Sequence, residues 1–235
     1  MSVTEPLQDL LEVITDNKPD VAILMGPFVD MKNSSVLSSA ESFDKQWINM
    51  LTLIGDKLGG LKTKVVVVPS GRDAVGYPVY PQPPFPPSSL SPSNIKYVSD
   101  PAILDINGLH LALTSTDILF HLGKEEISFP PRSGDRMSRL ASHILQQGSL
   151  YPLYPPSEDI NLDIEKLEDF ALLDQPPHIL LLPSDLNNFV RDINGTTVIN
   201  PGRLTKGLGP GTYTIFQVSR GEQDKPLTRV KIMRI

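Results

Sequence analysis

Apolar residues recur every three or four positions in two stretches of the N-terminal half, residues 5–16 and 41–58. This spacing places them on one face of a helix, so both stretches are predicted to be amphipathic helices. Each is followed by a short run that is wholly apolar, at 21–25 and 65–68. Runs of this length, rich in valine and other aliphatic residues, are typical of strands that are buried on both faces of a sheet. The N-terminal half is therefore predicted to alternate helix and strand.

The C-terminal half is dominated by strand patterns. Asn107-Gly108 separates apolar runs at 103–106 and 109–113, and this dipeptide favours a type I′ hairpin turn. Further strands are predicted from apolar and β-branched runs at 179–182, 196–199, 212–218 and 227–235. Helices that come early and strands that come late predict a mixed α/β sandwich. Because no obvious linker divides the 235 residues, we expect a single domain over 1–235.

Composition narrows the classes of function. Hydrophobic residues make up 40% of the chain and charged residues 20%, as in ordinary globular proteins. The formal net charge of −6 predicts that the chain alone binds DNA weakly and without specificity. No apolar run approaches the about 20 residues that cross a bilayer, and the N-terminus lacks a signal-peptide pattern, so no membrane contact is expected. The chain contains no cysteine, which excludes disulfides and thiolate metal sites within it.

Three of the predicted strands run straight into turns, which is where α/β proteins often place their chemistry. The turns read Gly26-Pro27-Phe28-Val29-Asp30, Ser70-Gly71-Arg72-Asp73 and Gly202-Arg203-Leu204-Thr205. Their order and spacing resemble the metal-ligand loops of calcineurin-like metallophosphoesterases, which read Gly-Asp-x-x-Asp, Gly-Asn-His-Asp/Glu and Gly-His-x-His. The resemblance implies that seven residues occupy former ligand positions, namely Pro27, Asp30, Gly71, Arg72, Asp73, Arg203 and Thr205.

The residue types at these positions do not suit a pair of catalytic metal ions, which needs carboxylates and imidazoles around the cations. Pro27 has no side-chain donor atom, and Arg72 and Arg203 are fixed cations where neutral imidazoles would be required. Asp30 and Asp73 alone could still ligate. We therefore expect no catalytic residue, no metal and no cofactor. The guanidinium groups have two alternative roles: an ion pair with Asp30 or Asp73 that bridges the loops, or the binding of a phosphate without hydrolysis.

The histidines add little to this picture. None of the four lies three or four residues from another, so no helix carries a histidine pair for a metal. His178 stays a candidate ligand, because it opens a strand after Pro176-Pro177, where the phosphoesterases often place a metal-binding histidine. The other three, His110, His121 and His143, are expected to be structural or exposed.

Two proline-rich stretches carry aromatic residues, at 77–92 and 151–156. So many prolines exclude helix and central strand and favour an extended loop. Two interpretations stay open, a loop that packs on its own domain and a loop that binds a partner. The aromatic residues that a partner would contact are Tyr77, Tyr80, Phe85, Tyr151 and Tyr154.

Five segments resemble the B subunits of eukaryotic DNA polymerase α–primase: GPFVDMKN, YPVYPQPPF, LTSTDILFHLGKEEIS, LYPLYPPSED and INPGRLTKG. The resemblance runs nearly from end to end. It implies an inactive, calcineurin-like phosphoesterase domain at the C-terminus of a non-catalytic accessory subunit that acts in the nucleus during initiation of DNA replication. It further implies binding to the C-terminal region of the polymerase α catalytic subunit and a connection with the primase subunits through the complex.

Two rival functions stay open, an active metal-dependent phosphoesterase or nuclease and a module that binds nucleic acid. The family pattern also includes a first strand with its ligand loop, an oligonucleotide/oligosaccharide-binding domain and an N-terminal helical domain, and all three are expected to be absent here. The strand at 21–25 is therefore expected to have one unpaired edge. Open apolar edges invite aggregation, so the chain is predicted to be more stable when it is extended at its N-terminus.

Overall fold

The computed structural model describes residues 5–87, 91–129, 134–206, 209–221 and 226–235. The contacts of the chain group into two compact units, Met1–Asp100 and Pro101–Ile235. Each unit combines helices with a sheet of its own, which confirms the mixed α/β class. The single domain over 1–235 stays a prediction. Within the described ranges, no helix combines the length and the apolar character that a membrane span requires.

The first unit is built on a parallel sheet of three strands in the order β1-β2-β3. Its elements are α1 (Glu5–Asn17), β1 (Val21–Met25), α2 (Ser34–Leu37), α3 (Phe43–Leu58), β2 (Lys64–Val68) and β3 (Ile95–Tyr97). The four valines of the central strand β2 are all buried. The two long helices bury their apolar faces, including Leu11 of α1 and Ile54 and Leu58 of α3. Both predicted helices and both predicted strands of this half are confirmed.

The register of β1 and β2 determines where the first two loops lie. The strands are parallel, with Met25 opposite Val68, so the loops that follow β1 and β2 leave the sheet at the same edge. The amide of Gly26 extends the ladder by donating to the carbonyl oxygen of Val68 at 2.9 Å. Among the described residues, β1 pairs with β2 alone, so its other edge is unpaired, as expected. The higher stability of an extended chain stays a prediction.

The second unit is built on a five-stranded mixed sheet in the order β4-β5-β6-β8-β7. Its elements up to the end of this sheet are β4 (Ala102–Ile106), β5 (Leu109–Leu113), α4 (Ile118–Glu125), α5 (Arg136–Gln147), α6 (Ile164–Phe170), β6 (Ile179–Leu181), β7 (Phe189–Ile193) and β8 (Thr196–Asn200). The inner strands β5, β6 and β8 are parallel, and β4 and β7 pair antiparallel at the two edges. The inner strands are almost entirely buried, so the core of this unit lies along them.

Two hairpins at the edges of this sheet turn on the same dipeptide. Asn107 and Gly108 have φ values of 55° and 85°, which confirms the predicted type I′ turn between β4 and β5. Asn194 and Gly195, with φ values of 53° and 88°, turn β7 into β8 in the same way. The strand β7 was not predicted, because exposed Arg191 and Asp192 interrupt its apolar pattern. The second Asn-Gly was a signal that could have revealed it.

The chain ends in a long antiparallel ribbon, here called the C-terminal hairpin, formed by β11 (Thr212–Arg220) and β12 (Pro226–Arg234). Both strands were predicted. They pair over nine residues each and form a sheet of their own, separate from the five-stranded one. A still shorter pair, β9 (Thr205–Lys206) and β10 (Gly209–Pro210), precedes the hairpin.

Candidate functional site

Asp73 is the centre of the first two loops. One carboxylate oxygen, Oδ1, accepts hydrogen bonds from the backbone amides of Phe28 at 2.6 Å and Val29 at 2.8 Å. The other, Oδ2, accepts from the amide of Ser70 at 3.0 Å. Burial raises the pKa of Asp73 to about 6, although these three hydrogen bonds lower it. The side chain thus ties the loop after β1 to the loop after β2.

The approach of the two loops requires a glycine. A Cβ atom at Gly26 would lie 2.6 Å from Oδ2 of Asp73 and 2.9 Å from Cβ of Ser70, which is closer than atoms can pack. The Gly26-Pro27 peptide bond that follows is cis. Gly71, by contrast, meets nothing within 4 Å where a Cβ would be added. The glycine at the first loop is therefore explained by packing around Asp73, and the glycine at the second is not.

Arg72 and Asp30 form an ion pair across the same two loops. The guanidinium donates through Nε to Oδ1 of Asp30 at 3.1 Å and through Nη2 to Oδ2, a two-point contact. The backbones pair beside it, with the amide of Met31 donating to the carbonyl oxygen of Arg72 at 3.0 Å. The loop-bridging role predicted for a guanidinium is thus present in Arg72. A cation at Asp30 would have to displace it.

The third loop lies in the second unit, and its arginine has partners that the sequence did not suggest. Nη2 of Arg203 lies 3.5 Å from Oδ2 of Asp117, and Nε donates to Oδ1 of Asp185 at 3.3 Å. Arg203 thus forms its ion pairs with carboxylates of its own unit. Asp117 is held in turn, because its Oδ1 caps α4 by accepting from the amide of Phe120 at 3.0 Å. The sequence does place Asp117 directly before an apolar run, which is a signal for a helix N-cap but does not identify Arg203 as its partner.

The same loop anchors the C-terminal hairpin. The amide of Thr212, the first residue of β11, donates to the carbonyl oxygen of Arg203 at 2.8 Å, and its hydroxyl donates to that of Pro201 at 2.7 Å. Gly202 has a φ of 76°, and a Cβ there would lie 2.5 Å from Oγ1 of Thr212. Thr205 is exposed in the short strand β9. The loop after β8 thus holds the first residue of the C-terminal hairpin in place.

A cleft of ≈ 260 Å³ lies beside this loop. Ser184, Asn188 and Thr212 contribute polar groups to it, and Arg203 and Arg234 contribute positive charge. Asp185 also lines the cleft and already pairs with Arg203, so much of the charge is compensated within the wall. The cleft offers hydrogen bonds but no concentrated charge.

The histidines are engaged in local contacts. His178, the candidate ligand, accepts a hydrogen bond at Nδ1 from the backbone amide of His110 at 2.9 Å. His121 lies against Tyr151, and His143 lies 3.4 Å from Glu126. In the parts of the chain that the structure describes, no three histidine, aspartate or glutamate side chains come together as a metal would require.

The aromatic residues of the proline-rich stretches divide into two groups. Tyr80, Phe85 and Tyr151 are buried, with 3% or less of their surface exposed, whereas Tyr77 and Tyr154 are 67% and 78% exposed. Phe85 and Tyr151 pack within their own units, as the internal-packing interpretation expects. Partner contact stays a prediction, and the two exposed tyrosines are the residues that could make it directly. Residues 88–90 of the first stretch lie outside the described ranges.

Two internal clusters hold the rings of Phe85 and Tyr151. The Phe85 ring centroid lies 4.4 Å from that of Trp47 on α3 and 6.1 Å from that of Phe28 in the first loop. The hydroxyl of Tyr151 accepts from the amide of Ser157 at 3.0 Å and lies 3.3 Å from Nδ1 of His121. Each proline-rich stretch is thus fastened to its unit by buried aromatic side chains.

Comparison with known proteins decides the family. The family model for the B subunit of DNA polymerase alpha/epsilon matches residues 1–191. The chain belongs to this family of polymerase B subunits. It is 45% identical over 217 residues to the B subunit of mouse DNA polymerase alpha, which covers 89% of this chain and 36% of the mouse protein. The predicted resemblance to the polymerase α B subunits is thereby confirmed.

Two more distant members of the family show the same similarity. Identity is 42% over 216 residues to the B subunit of Drosophila melanogaster DNA polymerase alpha, covering 92% of this chain and 35% of that protein. The chain is 34% identical over 227 residues to the B subunit of Schizosaccharomyces pombe DNA polymerase alpha. This match covers 91% of this chain and 39% of that protein. The chain thus spans between 35% and 39% of the length of these three relatives.

Proposed function

We propose that this chain is the phosphoesterase-like region of a non-catalytic accessory subunit of DNA polymerase α–primase. In this role it forms one inactive domain of the calcineurin-like class and acts as a scaffold in the initiation of DNA replication in the nucleus. The observation that carries the proposal is the engagement of both remaining carboxylates: Asp73 with three backbone amides and Asp30 with Arg72. Membership in the family of polymerase B subunits supports the same assignment.

The chemistry of the loops favours a scaffold over an enzyme. Two-metal hydrolysis needs ligands fixed around both cations and a bound water as nucleophile. Here the oxygens of Asp73 are taken up by N–H donors, and a guanidinium occupies the acceptor positions of Asp30. The same side chains instead hold two loops together, which suits a protein whose task is to keep a defined surface in place.

The proposed partner is the C-terminal region of the polymerase α catalytic subunit, with the primase subunits connected through the complex. Contact with DNA is proposed to be weak or indirect, because the chain carries a net charge of −6. No membrane contact is proposed. Tyr77 and Tyr154 are the proposed contact residues, since both are exposed and aromatic side chains are enriched at interface hot spots.

Replacing Tyr77 and Tyr154 together with alanine is expected to weaken binding to the catalytic subunit about 30-fold or more, because an aromatic hot spot contributes about 2 kcal/mol or more. The measurement is a calorimetric titration with the purified catalytic subunit. The matched control is Phe170→Ala, which removes an exposed aromatic ring of α6, outside both proline-rich stretches.

The result separates two failures. If the unaltered chain binds and the double variant binds equally well, the scaffold proposal stands and the contact residues are wrong. If the unaltered chain shows no affinity for the catalytic subunit, the proposed function itself fails.

The rival function, an active phosphoesterase, predicts metal-dependent hydrolysis of phosphate esters. The engagement of Asp30 and Asp73 by other groups argues against it. We expect no hydrolysis of phosphomonoesters, phosphodiesters or DNA in the presence of Mg²⁺ or Mn²⁺, measured by phosphate and fragment release. Turnover that depends on added metal and is lost in a folded Asp30→Ala variant would establish the rival. Asp30 is chosen because its loss leaves the buried contacts of Asp73 in place.

A further inference from the structure

We infer that the exposed face of the C-terminal hairpin binds a segment of a partner protein that is both acidic and apolar. This face, here called the open face, carries alternate residues of both strands. The residues that matter for the argument are Tyr213, Ile215, Leu227, Arg229, Lys231 and Met233. The inference does not rest on the proposed function, because it names the chemistry of a segment and no particular subunit.

The register of the hairpin places these side chains together. Tyr213 is opposite Met233 and Ile215 is opposite Lys231, and directly opposed residues of an antiparallel pair project from the same face. Leu227 is 65% exposed, Met233 42% and Ile215 37%. Apolar side chains thus recur along a face that remains in water.

The opposite face of the hairpin differs. Phe216, Val230 and Ile232 project from it and are partly buried. The hairpin therefore has one face that is partly buried, although Val218 on it is 36% exposed, and one face that is largely exposed. A two-stranded ribbon has little stability by itself in water, and in the part of the chain that the structure describes no third strand pairs with this one. A chain that lies along the open face would cover its apolar surface.

Charge indicates what kind of segment fits. The sequences of β11 and β12 contain four basic residues and no acidic residue, although the whole chain has a net charge of −6. Arg229 and Lys231 lie on the open face among the apolar side chains. Surfaces of complementary charge steer partners together and exclude wrong ones. Carboxylates that alternate with apolar side chains on a strand would meet both features of this face.

Two other occupants fit less well. Nucleic acid would be bound through its phosphates, and the open face offers only Arg229 and Lys231 for them beside four apolar or aromatic side chains. A second copy of the chain that packed through the same face would gather Arg229 and Lys231 of both copies in one interface, which like-charge repulsion opposes. A protein segment with carboxylates is therefore the occupant that charge and apolarity together favour.

The test uses the full chain and a synthetic peptide of strand length in which glutamate alternates with leucine and valine. At about 0.15 M salt we expect this acidic peptide to bind at least about tenfold more tightly than the same peptide with lysine in place of glutamate. Its affinity should fall as the salt concentration is raised. Fluorescence anisotropy measures affinity. Hydrogen exchange of β11 and β12 amides locates the contact, and protection there is expected.

Variants separate the two parts of the argument. Arg229→Glu/Lys231→Glu should weaken binding of the acidic peptide about tenfold or more, because two charge attractions become repulsions. Ile215→Thr/Leu227→Thr should also weaken binding of the acidic peptide, and threonine is chosen because it suits a strand. The matched control is Lys45→Glu/Lys96→Glu, the same change of charge at exposed positions in the first unit, which should leave affinity unchanged.

Each contrary outcome overturns the inference. Equal affinity for the acidic and the basic peptide would remove the role of charge. Binding that both hairpin variants leave intact would place the contact elsewhere. Oligothymidine that binds more tightly than the acidic peptide, with the loss falling on the charge variant alone, would make the face a nucleic-acid site. Self-association that disappears in the apolar variant would make it an interface between copies.

Discussion

Replacing Asp73 with alanine is expected to lower the free energy of unfolding by about 3 kcal/mol or more. The substitution leaves three backbone N–H groups, those of Phe28, Val29 and Ser70, without their acceptor. A buried donor that loses its partner costs about 1–3 kcal/mol, since water cannot replace the lost hydrogen bond. Urea unfolding followed by circular dichroism measures the change.

The matched control is Asp30→Ala, which removes a carboxylate from the same pair of loops. Its ion pair with Arg72 is partly exposed, so the expected loss is only about 1 kcal/mol or less. Equal losses for the two variants would contradict the view that Asp73 is the side chain that ties the loops together.

The pKa of Asp73 also predicts a dependence on pH. Its folded value of about 6 lies above its ordinary value of 3.8, so the folded state binds the proton more tightly between these values. The contribution of this group to stability is therefore greatest below the lower value and falls as pH rises toward 7. We expect the difference in unfolding free energy between the unaltered chain and Asp73→Asn to shrink as pH rises from about 4 to 7. A difference that is constant or grows over this range would contradict the assignment.

Replacing Tyr151 with alanine is expected to cost about 3–5 kcal/mol, the range for removing a buried aromatic side chain. The ring is almost fully buried, and its hydroxyl accepts from the amide of Ser157 and contacts His121. The variant loses apolar packing, creates a cavity and leaves an amide unpaired. Thermal unfolding gives the readout, together with the urea midpoint.

Tyr154→Ala is a control from the same proline-rich stretch, because that ring is exposed and its loss should change stability by about 0.5 kcal/mol or less. Tyr151→Phe isolates the hydroxyl and should cost about 1–2 kcal/mol. A Tyr151→Ala variant that keeps its stability but loses affinity for the catalytic subunit would support the partner-binding interpretation for this residue instead.

The expectation that these loops lack phosphoesterase chemistry rests on residue types alone and stays a prediction. Pro27 cannot ligate, and Arg72 and Arg203 are cations in any fold. The partners of these arginines could not be predicted. Asp117 and Asp185 lie 86 and 18 residues from Arg203 in sequence, and no local pattern connects them. Ion pairs between distant residues depend on which loops the strands bring together.

The two long N-terminal helices, the valine strand and the Asn107-Gly108 hairpin were determined by the sequence itself, because apolar period and turn preference act over a few neighbouring residues. Which aromatic residues of the proline-rich stretches are buried was decided only by the tertiary structure. Proline removes the regular period that tells inward from outward positions, so Tyr151 and Tyr154 look alike in sequence. Tyr151 contacts His121 and Ser157, whereas Tyr154 is exposed to solvent. The difference depends on which distant parts of the chain pack against each ring.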